Sequence, residues 1–149
     1  MNFILKYFDD LNADEVYDML QLREEVFQIE QNCIYKDMDD KDRHCWHLLM
    51  YKEAELVAYA RLVPGAVSYP AYCSIGRVAS KTKYRKEGYG RQLMQEAMLQ
   101  VKRLFPGFPV KISAQAYLQK FYESFGFIKV SEPYMEDDIP HIAMTFSGN

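Results

Sequence analysis

The spacing of apolar residues changes several times along this chain, and each change marks an element. Phe3 to Phe8 reads as a first strand. Asn12-Ala-Asp-Glu15 has the form of a capping box, with an acceptor side chain at the cap and a carboxylate three residues later. Val16, Met19, Leu20, Val26 and Phe27 recur at helical spacing, which predicts a helix to about Glu30. Trp46 to Tyr51 and Leu56 to Val63 read as two strands joined by the polar turn Lys52 to Glu55. Pro64-Gly65 and Pro70 mark a second connection, and a strand follows from Tyr72 to Ala79.

After Gly88 the period lengthens. Leu93, Met94, Ala97, Met98, Val101, Leu104 and Phe105 follow the three-and-four spacing of a long amphipathic helix, stopped at Pro106-Gly107. Val110, Ile112 and Ala114 alternate as a strand. Tyr117 to Phe125 reads as a shorter helix closed by a left-handed Gly126, and Phe127 to Val130 and Ile142 to Phe146 supply the last strands. The order describes a mixed α/β layout with helices packed on a sheet.

Two features interrupt the pattern. Arg23 lies four residues after Met19 and four before Phe27, on the apolar face of its helix, and Glu30 falls seven residues on, on the same side. Either the Arg23 stem packs while its head reaches solvent, or the two form a polar pair lining a cleft. Acidic residues gather at Asp37, Asp39, Asp40 and Asp42, and again at Glu136, Asp137 and Asp138. They are either solvated loops or an attraction for a cationic amine.

At 149 residues the chain has the length of one domain, spanning 1–149, and 49% hydrophobic residues supply a core without a staple. A net charge of −3 argues against nucleic acid as a partner. No run is long enough to span a bilayer, and the start lacks the pattern of a secretion signal. Three cysteines, Cys33, Cys45 and Cys73, then read as free thiols in the reducing cytoplasm, with Cys45 and Cys73 as buried structural ones. Asp37-x-Asp39 begins like a calcium loop, but the sixth position is Asp42 and the last is Leu48. Cys33, His44, Cys45 and His47 include ligand types without paired C-x-x-C spacing, so no metal is expected.

The strongest chemical signal is Arg85-Lys86-Glu87-Gly88-Tyr89-Gly90-Arg91, between a strand and the long helix. Two glycines allow a tight turn and a close backbone approach, and the helix start adds unpaired N–H groups beside three cationic side chains. That combination suits a pyrophosphate. A Walker loop is excluded because no Gly-Lys-Ser/Thr is present, and the dinucleotide fingerprint fails at Leu93, where it needs Gly or Ala.

R-x-x-G-x-G, a long helix, a strand and then Phe121-Tyr122-x-x-x-Gly126-Phe127 resemble the GNAT superfamily of acetyl-coenzyme A-dependent N-acetyltransferases. Leu22-Arg23-x-x-Val26-Phe27-x-x-Glu30-Gln31, Ala58-Tyr-Ala-Arg61, Gly76-Arg77-Val78, Ala114-Gln115-Ala116 and Ile139-Pro140-His141-Ile142 are similar to its ElaA-type branch. The resemblance implies a mixed α+β fold: a central, mostly antiparallel sheet with a splayed parallel pair and helices on both faces. It implies that Arg85 to Arg91 binds the coenzyme pyrophosphate, and that the backbone of Val78 and Ser80, freed by the splay, pairs with pantetheine and the thioester carbonyl. Gln115 stands where the superfamily often has Asn, and Leu118 where it often has Ala. Tyr122 matches the tyrosine beside the thioester sulfur.

The implied activity moves acetyl to a primary amine, on a small molecule or a protein, by direct attack in a ternary complex. The competing class is a non-catalytic acyl-coenzyme A sensor. Glu30 and His141 are the candidate bases, the latter because an imidazole titrates near neutrality. Arg77 would either orient a substrate carboxylate or pair with an acid, and Arg23 is the second candidate on the substrate side. Monomer and homodimer are both compatible with this reading.

Overall fold

A computed structural model describes residues 1–148. The elements are β1 (Asn2–Tyr7), α1 (Ala13–Arg23), β2 (Trp46–Lys52), β3 (Glu55–Val63), β4 (Ser74–Ser80), α2 (Tyr89–Leu104), β5 (Val110–Gln115), α3 (Gln119–Glu123), β6 (Ile128–Lys129), β7 (Tyr134–Glu136) and β8 (Ile139–Phe146). The capping box is formed: Asn12 Oδ1 accepts from the Glu15 N–H at 2.8 Å, and Glu15 Oε1 accepts from the Asn12 N–H at 2.9 Å.

The helix beyond Arg23 is not α. Glu24–Glu30 winds as a π-helix, whose i→i+5 bonds widen each turn. Over seven residues the phase slips by about a third of a turn relative to α. Glu30 therefore leaves the side of Arg23, and the two form no pair.

The strands form two antiparallel groups, β1-β2-β3-β4 and β5-β8-β6, with β7 also against β8. They join through one parallel bridge, Cys73 with Val110, where the Cys73 N–H donates to the Pro109 carbonyl at 3.0 Å and the Lys111 N–H to the Cys73 carbonyl at 2.9 Å. Beyond it β4 and β5 part, which is the expected splay.

Helices cover both faces. On one, Leu93, Met94, Ala97 and Val101 of α2 bury against Leu48, Met50, Ala60 and Ile112. On the other, Met19, Leu22 and Val26 pack against Leu49, Tyr59 and Ala79. The alternation of neighbours such as Leu48 and Leu49 between the two cores is the period-2 rule of a strand buried on both sides.

Several boundaries differ from the sequence expectation. The short helix after β5 opens with a 3-10 turn, Ala116–Leu118. The last strand starts at Ile139 rather than Ile142. It pairs with β7 through a two-residue turn in which Asp137 and Asp138 take φ of 51° and 61°, the primed turn that suits a hairpin. The second acidic cluster is thus a hairpin tip, not an irregular loop.

Candidate active site

Two cavities open where the sheets part. The larger, about 450 Å³, lies between β4, the start of α2 and α3. The smaller, about 100 Å³, lies between β4, β5 and the β7–β8 hairpin. Phe27, Gln31, Val78, Gln115 and Tyr122 line both, so they form one cleft divided at those side chains.

The larger cavity is walled by Ser80, Arg85, Gly88, Gly90 and Arg91. Gly88 has φ of 79°, which favours glycine, and a Cβ on Gly90 would meet only Ser80 Oγ at 4.0 Å. Packing does not require glycine at 90; its small size keeps the helix start open to the cavity. The first N–H of α2 bonded along the helix is that of Gln92, to the Gly88 carbonyl, so those of Tyr89, Gly90 and Arg91 precede any partner within the helix. Lys86 and Glu87 are exposed and outside this lining, and the Tyr89 ring is buried in the core against Tyr84. Arg91 lies over the rings of Phe121 and Phe125 and donates to Ser124 Oγ at 3.2 Å.

Arg85 is engaged. Its guanidinium forms a fork with the Glu30 carboxylate and also donates to the Ser80 carbonyl at 3.1 Å, while Thr82 Oγ1 donates to Glu30 at 2.9 Å. Partial burial pushes the Glu30 carboxyl up, but the bonds from Arg85 and Thr82 outweigh it and hold it below its ordinary value. A carboxylate so stabilised is a weaker proton acceptor.

β4 carries a bulge. Tyr59 lies opposite Ala79 and Arg61 opposite Gly76, so Arg77 and Val78 have no partners on β3 in that register. Arg77 sits at φ of 51°. The Lys81 N–H bonds the Val57 carbonyl at 2.9 Å, so by antiparallel alternation Ser80, one residue earlier, turns its backbone groups away from β3 and toward the gap.

Tyr122, on α3, is buried among Phe121 and Phe127, and no protein group among the described residues hydrogen-bonds its hydroxyl. Burial, with a contribution from Tyr117, pushes its phenol well above the ordinary value. Across the divide, His141 Nδ1 donates to the Ile139 carbonyl at 2.7 Å, which leaves Nε2 to carry the lone pair of the neutral ring. Nε2 lies 3.5 Å from Glu136 Oε2, an ion-pair partner once the imidazole is charged. Ser113 donates to the same glutamate at 3.2 Å. Gln31 and Gln115 exchange amide bonds at 3.2 Å across the cleft.

The two arginines assigned to the substrate side are placed otherwise. Arg23 is fully buried, paired with Asp37 at 2.8 Å and Asp42 at 2.9 Å, and faces neither cavity nor solvent. It cannot touch a substrate. Arg77 borders the smaller cavity, but its Nε and Nη2 are spent on Asp37 at 2.9 and 2.8 Å. With Arg61 on Asp39 and Asp42, three arginines and three aspartates neutralise one another, so the first acidic cluster is a partly buried ionic network rather than a lure for cations.

Sequence reasoning missed that network and Ser113, and it named Glu136 only as one member of an acidic cluster. The signal for Ser113 was present: Val110, Ile112 and Ala114 face the core, so Ser113 between them faces the other way, where it borders the smaller cavity. Cys45 and Cys73 are buried, and burial pushes both thiols up to about 11, while Cys33 lines the smaller cavity and donates to the Asp137 carbonyl at 3.3 Å. Among the described residues no group of three or more His, Cys, Asp and Glu side chains is placed to hold a metal, and no helix is long and apolar enough to cross a membrane.

The profile of the Acetyltransferase (GNAT) domain family matches residues 8–147. Protein ElaA of Escherichia coli (strain K12) is 44% identical over 140 residues, 93% of this chain and 91% of that protein. The crystal structure of an acyl-CoA N-acyltransferase from Pseudomonas aeruginosa superposes with a TM-score of 0.91 at 42% identity, covering 98% of this chain and 99% of its own. That of Escherichia coli ElaA gives 0.91 at 41%, covering 99% and 100%.

Proposed function

This chain belongs to the GNAT acetyltransferase family, and on that premise we propose that it transfers acetyl from acetyl-coenzyme A to a primary amine by direct attack in a ternary complex. The observation that carries the reading is the divided cleft: one side is bounded by a helix start and arginines, the other by an imidazole and a carboxylate, and Tyr122 and Val78 border both.

In this reading the N–H groups of Gly88 to Arg91, with Arg85 and Arg91, hold the pyrophosphate. The Ser80 backbone and Gln115 meet the pantetheine arm. The Val78 N–H faces the thioester carbonyl, where one donor aimed at a developing oxyanion is worth on the order of ~3 kcal/mol. An ammonium with pKa ~10.4 must first lose a proton before it attacks. His141 Nε2 accepts it, and Glu136 stabilises the imidazolium. Glu30, on the coenzyme side and tied to Arg85, is set aside as the base.

As the carbon–sulfur bond breaks, Tyr122 donates a hydrogen bond to the departing thiolate, and the second proton shed by the attacking nitrogen passes to that sulfur, giving the amide and the free thiol. Proton transfer from an ordinary phenol to a thiolate is already uphill by about 2 kcal/mol. The raised phenol makes it more so, and Tyr122 therefore acts as a donor that keeps its proton.

Incubation with carbonyl-labelled acetyl-coenzyme A and pools of amines and peptides, read by mass spectrometry, tests the reading. Label is expected on an amine nitrogen. Saturable coenzyme binding with no labelled amine in any pool would leave a binding module instead.

A further inference from the structure

The bulge in β4 is the least expected piece of backbone in the cleft. Arg77 takes a left-handed φ of 51°, a conformation that a long side chain adopts only when its surroundings impose it. The β3 ladder gives this residue no partner, because the register skips it.

What holds it is chiefly Asp37, from the segment before β2, with Asp39 Oδ2 at 3.4 Å and the Tyr35 ring beside the guanidinium as lesser contacts. Asp37 Oδ1 accepts from Arg77 Nε at 2.9 Å, and the Asp37 carbonyl accepts from Arg77 Nη2 at 2.8 Å. Asp37 is itself fixed: Oδ2 accepts from Arg23 Nε at 2.8 Å and Oδ1 from the Tyr35 hydroxyl at 2.8 Å. Arg23 is in turn forked onto Asp42 at 2.9 and 3.2 Å and has no exposed surface. The chain of contacts runs from the buried last residue of α1 to the residue immediately before Val78, through side chains that are at most partly exposed.

We propose that Asp37 and Arg77 are positioning residues: their clamp fixes the bulge so that the next N–H, that of Val78, points at the thioester carbonyl. The proposal rests on the acetyl-transfer reading above. It reassigns Arg77 from the acceptor to the backbone that receives the oxyanion. The direction of its hydrogen bonds favours this, since Nε and Nη2 turn toward Asp37 instead of into the cavity. Arg23, too deep to meet any ligand, becomes the anchor of the clamp.

The test uses acetyl-coenzyme A labelled with ¹³C at the carbonyl, whose resonance reports hydrogen bonding to that oxygen without needing an acceptor amine. Bound to the native protein, the resonance is expected downfield of the free ligand. Arg77→Ala removes the clamp and keeps the strained φ; Arg77→Gly removes the clamp in a residue that adopts this φ freely and so preserves folding. Both variants are expected to lose most of the displacement while coenzyme affinity stays within about threefold. Arg77→Lys, which restores one charge without the fork, is expected to fall between them and the native protein. With an acceptor in hand, turnover of Arg77→Gly is expected to drop about 100-fold with little change in amine KM.

A native-sized displacement in Arg77→Gly overturns the clamp, as does a variant whose only defect is a raised amine KM, which would return Arg77 to the acceptor. A native protein that binds no acetyl-coenzyme A overturns the transfer reading itself, and the clamp with it. The two failures are therefore distinguishable.

Discussion

The Tyr122 ring is buried while the residue borders both halves of the cleft, and no protein group among the described residues hydrogen-bonds its hydroxyl. Removing the hydroxyl with Tyr122→Phe should leave the ring packing against Phe121 and Phe127 intact. Thermal stability and coenzyme affinity should be preserved, and turnover should fall about 100-fold or more, the range for one lost donor to a leaving or developing anion. Steady-state kinetics beside calorimetric titration with coenzyme A check this, and unchanged turnover would remove Tyr122 from the reaction. Glu30 makes the opposite prediction. Its carboxylate occupies Arg85, the side chain proposed for the pyrophosphate, so binding has to displace it. The pair is partly exposed and its contribution is at most about 1 kcal/mol. Glu30→Gln should therefore lower the KM for acetyl-coenzyme A by up to about fivefold and leave kcat and its pH profile in place. A collapse of kcat in that variant would instead restore Glu30 as the base.

At the scale of elements, the readable parts were those whose signal is local. The Asn12–Glu15 box, the α2 stripe from Leu93 to Val101 and the alternation of β5 all depend on residues within a few positions of one another. The cap should be worth about 1 kcal/mol, so Asn12→Ala should lower the unfolding free energy by that amount, read as a lower urea midpoint with an unchanged slope. The unreadable parts depend on partners far away in the chain. The apolar stripe through Val26 and Phe27 fits an α-helix as well as a π-helix over so short a run, and only the structure shows the slip that carries Glu30 to Arg85. β7 is exposed along its whole length, so it has no hydrophobic period to betray it. The Asp37–Asp42 cluster read as solvent-facing because its cations, Arg23, Arg61 and Arg77, stand 14 to 40 residues away from their acids. The turn at Gly88 and the start of α2 were legible for the opposite reason: their signal lies in consecutive residues.

The ionic network and the histidine beneath it make the whole molecule sensitive to acid in two stages. His47 is buried, with Nε2 donating to the Asp42 carbonyl at 2.9 Å and Nδ1 accepting from the Tyr59 hydroxyl at 2.7 Å. Burial pushes its imidazole below the ordinary value, more than the Asp42 carbonyl and carboxylate raise it, and Arg23 and Arg61 add to the lowering. In the unfolded chain the same ring takes a proton near pH ~6.5. Stability is therefore intact above that pH and falls below it, by about 1.4 kcal/mol per pH unit, until the folded ring also titrates. Asp39 and Asp42 act lower down. Burial pushes both carboxyls up, but Arg61, Arg23 and Arg77 reverse this and hold them below the ordinary value. Their contribution is present above the unfolded pKa of ~3.9 and lost as pH falls through the lower folded values. Urea unfolding from pH 8 to 3 should show a plateau, a decline starting near pH ~6.5, and a steeper one below about pH 4. His47→Gln should abolish the first decline and spare the second, because an amide donates and accepts without titrating. If the first decline persists in that variant, the proton enters elsewhere, and the neutral His47 is not what couples this network to pH.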